Sequence, residues 1–374
     1  MKIIFTGGGS GGHVFPIIAI ARELKKLYQG NRKLEIFYIG PKDNLTASLL
    51  HQEGIESKTI LAGKIRRYFG IKALFLNIID IFKIIIGTIQ AFYYLFFLAP
   101  DLIFSKGGYG SFPSVLSARI LRIPIFLHES DKSPGLANRM LGRFSKEIFI
   151  SFPRTDYVVE SKMFLIGNPI RRELLEGSKE DAKDLFNLKM EKPVILVLGG
   201  SQGAQRVNEL ILNILPRMLE EFEVIHQVGL KNFDQVKAEA EVMVGDDLKG
   251  LYHPVPFLKE IELKHVYKAC DFVVSRAGSG SIFEIAATGK PSMLIPLPES
   301  AQNHQVKNAY AYAEKGAAIV VEESNLTPHF FLARLRYLFS RPEDLDIMRR
   351  HARLFAKPKA GRVIAGYIVE YLSQ

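Results

Sequence analysis

Uninterrupted apolar runs alternate with stretches in which apolar residues recur every three or four positions, and this alternation occurs twice along the chain. In the first half, residues 2–6 (KIIFT) read as a buried strand, followed by a glycine loop and a helix from about residue 14 to 27. A second strand is predicted at 34–39 and a second helix at 43–53, with further strands at 102–105, 125–127 and 147–150 and helices between them. Strands that are apolar throughout need cover on both faces, which a parallel sheet between helical layers supplies.

The rhythm restarts after Gly167-Asn168-Pro169. A strand at 194–197 is again followed by a glycine loop and a helix (205–221), then by strands at 223–227, near 251–254, and at 271–275, 292–294 and 318–321. From Thr327 onward the pattern is helical. The expected fold class is α/β: two doubly wound domains in tandem, 1–167 and 168–355, with a hinge near 167–169. The C-terminal helix at 356–374 is free to pack back on the first domain. A length of 374 residues suits two domains, and 48% hydrophobic with 24% charged residues excludes wholesale disorder.

One segment departs from this rhythm. Residues 71–99 run IKALFLNIIDIFKIIIGTIQAFYYLFFLA, long enough to span a bilayer. Asn77, Asp80, Lys83 and Gln90 interrupt the run, and an Asp and a Lys near the middle are costly in lipid. Three readings stand: a spanning helix, a buried core helix, or a helix with one face on the sheet and one available to a membrane. Lys64, Arg66, Arg67 and Lys72 precede it, and a basic flank beside exposed Ile, Leu and Phe is the composition of an interfacial anchor.

Charge changes the picture further. The chain carries a net charge of +10, and residues 1–168 hold 22 Lys+Arg against 12 Asp+Glu, while 169–374 hold 27 of each. The whole excess lies in the first half, which is expected to meet an anionic membrane surface, nucleic acid or a phosphorylated substrate. The single cysteine, Cys270, excludes an intramolecular disulfide framework, and the first residues read as strand and loop rather than a secretory signal. A reducing, cytoplasmic setting is the default.

Four glycine- or serine-rich loops each follow a predicted strand: Gly7 to His13, Lys106 to Ser111, Gly199 to Ala204, and Ser275 to Ser281 with Glu284 one turn into the next helix. Glycines let backbone N–H groups approach an anion, and a helix N-terminus favours negative charge. A literal G-x-G-x-x-G reads at Gly7, Gly9 and Gly12, but Gly40-Pro41-Lys42 stands where a nicotinamide site wants an acid after the second strand. A tight turn would explain one such loop; four of them point to a pyrophosphate-bearing ligand at the carboxyl ends of the sheets.

No metal-ligand spacing appears among the nine histidines, and Asp344-Leu345-Asp346 reads as a solvated helix start. Charge on a leaving group is therefore expected to meet helix N-termini and side chains. His13, at a helix start, could take a proton from an attacking hydroxyl or bond a phosphate. His128 and Glu129 follow the strand at 125–127 and are expected at the cleft.

Taken together, GGGSGGHVFP, KGGYGSFP, HESDKSPGLANR, IGNPIR, GGSQGAQRVN, SRAGSGSIFEIAATGKPSMLIPLP and QNHQVKNA resemble the MurG family, bacterial transferases of N-acetylglucosamine to a lipid-linked muramyl-pentapeptide. The runs occur in the family's order, from the start of the chain to about Ala309. The resemblance implies the GT-B fold, two Rossmann-like doubly wound domains with a deep inter-domain cleft, no cofactor, and UDP-N-acetylglucosamine held by the second domain. Ser201 and Gln202 would then sit at the donor phosphates, and the backbone near Leu258 at the uracil. Glu284 would bond the ribose hydroxyls, Ser279, Gly280, Ser281, Ile282 and Phe283 would line the diphosphate, and Gln305 the sugar. From the first domain, Ser10, Gly11, Gly12 and His13 would close over the donor, with Asp131 and Arg171 also reaching it. Gly107, Gly108, Tyr109 and Gly110, with Gly12, His13 and His128, would hold the acceptor's lipid pyrophosphate. The resemblance further implies a peripheral protein on the cytoplasmic face of the cell membrane, attached through residues 64–98, with roles in peptidoglycan synthesis, cell shape and cell division and no nucleic-acid partner.

Two departures stand out. The first loop reads GGGSGGH where the family more often has GGTGGH, and Ser130-Asp131 follows His128-Glu129 where the family usually has Gln-Asn. A donor amide has become a carboxylate that only accepts when ionised. The expected reaction is an inverting sugar transfer to the muramic acid 4-hydroxyl, with His13 as first candidate base and Asp131 and Glu129 behind it. The alternatives are a related transferase with another lipid acceptor, such as diacylglycerol, a nicotinamide-dependent oxidoreductase, or a nucleic-acid binder.

Overall fold

The computed structural model describes residues 1–8, 11–66, 70–153, 160–199 and 204–374. Two compact units emerge, one of Met1–Arg171 with Lys357–Gln374, the other of Arg172–Ala356.

The first unit contains, in order, β1 (Lys2–Thr6), α1 (Gly11–Leu27), β2 (Glu35–Gly40), α2 (Asn44–Gln52), β3 (Glu56–Thr59), α3 (Ile71–Leu98), β4 (Leu102–Ser105), α4 (Phe112–Ile120), β5 (Ile125–Glu129), α5 (Leu136–Leu141), β6 (Glu147–Ile150) and β7 (Met163–Leu165). Its seven strands pair in the order β3-β2-β1-β4-β5-β6-β7, all parallel. One face packs Phe5, Phe104 and Phe126 under α1, and the other packs Ile4, Ile103 and Ile125 under α3 and α4. The chain returns to this unit at its end: α14 (Ala360–Ser373) lies on α1, buries Ile364 and Ile368 in the first of those cores, and sets Tyr367 against Phe126 at 5.6 Å. Each such isoleucine contributes about 1.5–3 kcal/mol.

The second unit runs α6 (Lys179–Phe186), β8 (Val194–Leu198), α7 (Gln205–Leu219), β9 (Glu223–Gln227), α8 (Phe233–Met243), β10 (Tyr252–Val255), α9 (Glu260–Ala269), β11 (Phe272–Ser275), α10 (Ser279–Thr288), β12 (Ser292–Leu294), α11 (His304–Ala313), β13 (Ala318–Val320), α12 (Pro328–Phe339) and α13 (Pro342–Phe355). Its six strands pair in parallel as β10-β9-β8-β11-β12-β13. In both sheets the order reverses beside the first strand of the unit, which is where doubly wound sheets open a crevice for a ligand.

The sequence misses β3 and β7. Both lie at an edge of the first sheet, where one side needs no apolar cover, and β3 reads ESKT. Two boundaries also move. α1 begins at Gly11, so Gly12 and His13 belong to its first turn, and β5 runs on through His128 and Glu129. Those two residues are strand residues, not loop residues.

From Ala73 to Leu98, α3 is long and apolar enough to cross a membrane by length and composition, with mean hydropathy 1.8. It is not a buried core helix. Ala91 and Leu95 pack on the sheet, but Ile71 is 90% exposed, and Phe75, Phe82, Ile89 and Phe97 are exposed with it. The polar interruptions point the other way. Asp80, 4% exposed, pairs with Arg66 and Lys83; Asn77 exchanges two hydrogen bonds with the Arg66 backbone; Gln90 accepts from the Leu61 N–H. Segment 61–66 is thereby stitched along the inner side of the helix. Gly63 and Gly87 allow the approach, since a Cβ on either would fall about 2 Å from a carbonyl oxygen of the facing segment.

Candidate functional site

The loops after β1, β4 and β5 are neighbours because those strands are neighbours. The Gly8 N–H donates to the Gly107 carbonyl (3.1 Å), the Lys106 N–H to the Thr6 carbonyl (2.8 Å) and the Tyr38 hydroxyl to the Gly7 carbonyl (3.1 Å). The imidazole of His13 fits between two glycine backbones. A Cβ on Gly8 would lie 3.0 Å from its Cε1, and one on Gly108 would lie 3.0 Å from its Nε2. Gly107 and Gly108 have φ of +83° and +82°, a conformation that side chains other than glycine rarely adopt. Gly110 sits too close to the Gly7 carbonyl and Pro41 for any side chain, whereas Tyr109 and Gly12 are exposed.

Below these loops lies a buried polar layer. Glu129, 3% exposed, accepts from the Asp131 N–H (2.8 Å) on one oxygen and from Asn138 Nδ2 (2.7 Å) on the other. Asn138 Oδ1 in turn accepts from the Gly108 N–H (3.2 Å), so the two loops share one anchor. Lys106, at the end of β4, is fully buried and donates from Nζ to Ser130 Oγ. Burial pushes the Lys106 ammonium toward its neutral form, opposed by Glu129 and Asp131. Burial, then Asp131, pushes the Glu129 carboxyl up, opposed by its hydrogen bonds and by Lys106.

His128 is completely buried, and its Nε2 donates to the Gly167 carbonyl (3.1 Å). A carbonyl only accepts, so the proton sits on Nε2. Burial and the Lys106 charge hold the ring's pKa well below that of an ordinary histidine. His128 and Glu129 thus lie buried beneath the loops, because β5 continues through them. Arg171 stacks its guanidinium over the Phe15 ring at 3.9 Å, on α1.

In the second unit the segments after β11 and β12 lie beside each other and beside the end of β8. The Arg276 N–H donates to the Leu198 carbonyl (3.3 Å), and Asn308 Nδ2 to the Ala277 carbonyl (3.4 Å). The Arg276 guanidinium pairs with Glu323, which also holds Arg206, and reaches the Ile295 carbonyl. Helix α10 opens at Ser279 after Gly278, and Glu284 stands one turn in, half-buried. A Cβ on Gly278 or Gly280 would meet nothing within 4 Å among the described residues, so protein packing does not require either glycine. Ile282 and Phe283 point their side chains into the core, Phe283 against Phe355 at 5.1 Å, and only their backbone belongs to the helix start. The Leu258 N–H donates to Gln227 Oε1 (3.0 Å), and Gln305 Oε1 accepts from the Leu297 N–H (3.0 Å). Gln302 and Asn303, just before α11, both adopt left-handed backbone.

The structure therefore gathers His13, Gly107, Gly108, Glu129 and Asp131 in one unit, and Leu258, Ser279, Gly280, Ser281, Glu284 and Gln305 at the carboxyl edge of the other sheet. Ser10, Ser201 and Gln202 lie outside the described residues. Sequence reasoning assigned no role to Lys106, Asn138, Gln227 or Arg276. The available signal for Lys106 was a lysine directly after the apolar strand LIFS. Among the described residues no group of three metal-ligating side chains occurs, and Asp344 and Asp346 form surface ion pairs with Arg341 and Arg349.

The glycosyltransferase family 28 N-terminal domain matches residues 3–150 and the family's C-terminal domain matches residues 194–364. The UDP-N-acetylglucosamine–N-acetylmuramyl-(pentapeptide) pyrophosphoryl-undecaprenol N-acetylglucosamine transferase of Clostridium tetani is 38% identical over 344 residues, 91% of each chain. The Treponema denticola protein of the same name is 34% identical, covering 99% of this chain and 98% of its own. The crystal structure of Acinetobacter baumannii MurG superposes with a TM-score of 0.73 at 26% identity, covering 99% of both chains.

Proposed function

The chain belongs to the MurG family, within glycosyltransferase family 28, and on that premise we propose that it transfers N-acetylglucosamine from UDP-N-acetylglucosamine to undecaprenyl-diphosphate-linked muramyl-pentapeptide, the lipid I to lipid II step of peptidoglycan synthesis. The observation that carries this reading is kinship with transferases of that name along nearly the whole length of both chains.

The acceptor's 4-hydroxyl attacks the anomeric carbon as the bond to UDP breaks on the opposite face, and the hydroxyl proton passes to a base. His13 is the first candidate, supported by an imidazole caged between Gly8 and Gly108 and so held in one orientation. Asp131 is the second. Glu129 is less suited, since both its oxygens already accept hydrogen bonds. The departing UDP meets the N-terminus of α10, where Gly278 and Gly280 have no side chain to keep a diphosphate from the backbone. Glu284 takes the ribose hydroxyls and Gln305 the sugar, its Nε2 remaining to donate while Oε1 holds the Leu297 N–H. At Leu258 the N–H serves Gln227, so uracil would meet the carbonyl. Ser201 and Gln202, with Ser10, complete the donor set in this reading, and the loop 107–110 takes the lipid diphosphate.

The proposed location is peripheral, on the cytoplasmic face of the membrane, with the outer face of α3 in the interface. The exposed Phe and Ile side chains there support it. Lys64 is exposed beside this face, whereas Arg66 is engaged by Asp80.

The deciding measurement is transfer of labelled N-acetylglucosamine to a short-chain lipid-linked muramyl-pentapeptide with chelator present. A β-linked product is expected. Tight UDP-N-acetylglucosamine binding without product would overturn the acceptor assignment and direct attention to another lipid acceptor.

A further inference from the structure

Among the described residues Lys106 and Arg171 are buried cations, and the transferase reading gives Lys106 no role. Lys106 is 1% exposed, and an ammonium at that depth is costly unless anions face it. Glu129 and Asp131 face it from the end of β5 and the loop beyond, and the neutral His128 lies on β5 itself. On the side of β1 and α1, a Cβ on Gly7 would lie 3.4 Å from the Cβ of both Lys106 and His13, so these two side chains flank one glycine. The Tyr38 hydroxyl of β2 caps the carbonyl of that glycine, with Asp43 behind it, and α5 contributes the neutral Asn138. Without Lys106, the buried Glu129 carboxyl and the half-buried Asp131 carboxyl two residues on would lose the cation that faces both, which favours a proton on one of them.

We propose that Lys106 is a positioning residue for the transfer reaction: its buried ammonium, bonded to Ser130 Oγ, is the counter-charge that keeps the Glu129–Asp131 segment anionic and in place beside His13. The inference rests on the transferase reading. Lys106 touches no substrate in this account. It acts in two ways. Through Ser130 it fixes the loop that carries Asp131. By opposing protonation of Glu129 it favours the state in which both carboxylate oxygens accept, one from the Asp131 N–H and one from Asn138, whose own oxygen holds Gly108 against the His13 ring. A protonated Glu129 would turn one of those acceptors into a donor facing a donor.

The test is the pH dependence of kcat/KM for the lipid-linked acceptor in the wild type, Lys106→Met and Ser130→Ala. In Lys106→Met the acid limb is expected to move up by about one pH unit or more, since a nearby opposite charge holds a carboxyl down by that much. Ser130→Ala should move it the same way by less. KM for UDP-N-acetylglucosamine, most of whose contacts are assigned to the other unit, should change less than kcat/KM for the acceptor. A fall in rate with the acid limb unmoved in both variants would reduce Lys106 to a structural lysine and overturn the proposal. If Lys106→Met does not fold, Ser130→Ala, which removes only a loop hydroxyl, decides by the same criterion. Absence of product from the wild type would instead bring down the transferase reading and this inference with it, an outcome distinct from product with an unmoved limb.

Discussion

Asp80, near the middle of the most apolar helix of the chain, holds Arg66 in an ion pair of 2.6 Å. The pair faces inward, and it accounts for a charge that would otherwise argue against contact between α3 and lipid. Burial pushes the Asp80 carboxyl up, but the hydrogen bonds and charges of Arg66 and Lys83 outweigh it and hold the group below the usual carboxylate range.

A carboxyl lowered in the folded state contributes stability that is present above its unfolded pKa, about 4, and lost as pH falls through the folded value. Asp80→Asn should therefore loosen segment 61–66 by about 1–2 kcal/mol at neutral pH, and the gap to wild type should close in acid. Hydrogen exchange at the Arg66 amide, which bonds Asn77, reads this directly. Equal exchange at pH 7 in the two proteins would contradict it.

The outer face of α3 makes a separate prediction. Phe82→Glu, on an exposed position, should leave the fold intact and weaken sedimentation with anionic vesicles by about tenfold or more, the loss of roughly one buried aromatic side chain plus a repulsive charge. Lys64→Glu should act in the same direction and lose its effect at high salt. Charge reversal at Arg66 would confound the two questions, because that residue clamps the helix. Unchanged sedimentation in Phe82→Glu would remove α3 from the interface.

Gly8→Ala tests the cage around His13. The backbone of Gly8 is not in the left-handed region, so the new methyl group adds no backbone strain there and acts on the ring it meets at 3.0 Å. The expected result is a fall in kcat of about 10–100-fold from a displaced base, with melting temperature nearly unchanged. Gly107→Ala should instead destabilise the unit by at least about 1–3 kcal/mol, since its φ is +83° and its Cβ would fall 2.2 Å from Asn138. Full activity in Gly8→Ala would argue against His13 as the base.

At the start of α10 the sign reverses. Gly280→Ala meets open space and improves helix propensity, so it should be neutral or slightly stabilising, yet it should weaken UDP-N-acetylglucosamine binding by crowding the diphosphate. Glu284→Ala should weaken binding about 10–100-fold, the worth of hydrogen bonds to a charged group. Calorimetric titration with UDP checks both, and unchanged affinity in Glu284→Ala would withdraw the ribose assignment.

Much of this molecule was legible along the chain. Continuous apolar runs such as KIIFT, LIFS and VILVL state that both faces of a strand are covered, and the glycine loops that follow them state where the carboxyl edge lies. Those signals are local, because a strand's burial and a turn's backbone conformation are properties of a few adjacent residues. The class of reaction was legible too, through the order of the loops and their kinship with one family. Partnership between distant positions was not. Glu129 meets Asn138 and reaches Gly108 through it, Lys106 meets Ser130, and α14 covers α1 from more than 300 residues away. Asn77, Asp80 and Gln90 looked like breaks in an apolar helix and proved to be its attachment to segment 61–66. What a buried charge does depends on which group lies opposite, and that is set by the order of strands in the sheet and the crossing of helices over it. Neither is written in hydrophobic periodicity, so only the tertiary structure could show which polar residues hold the loops in place.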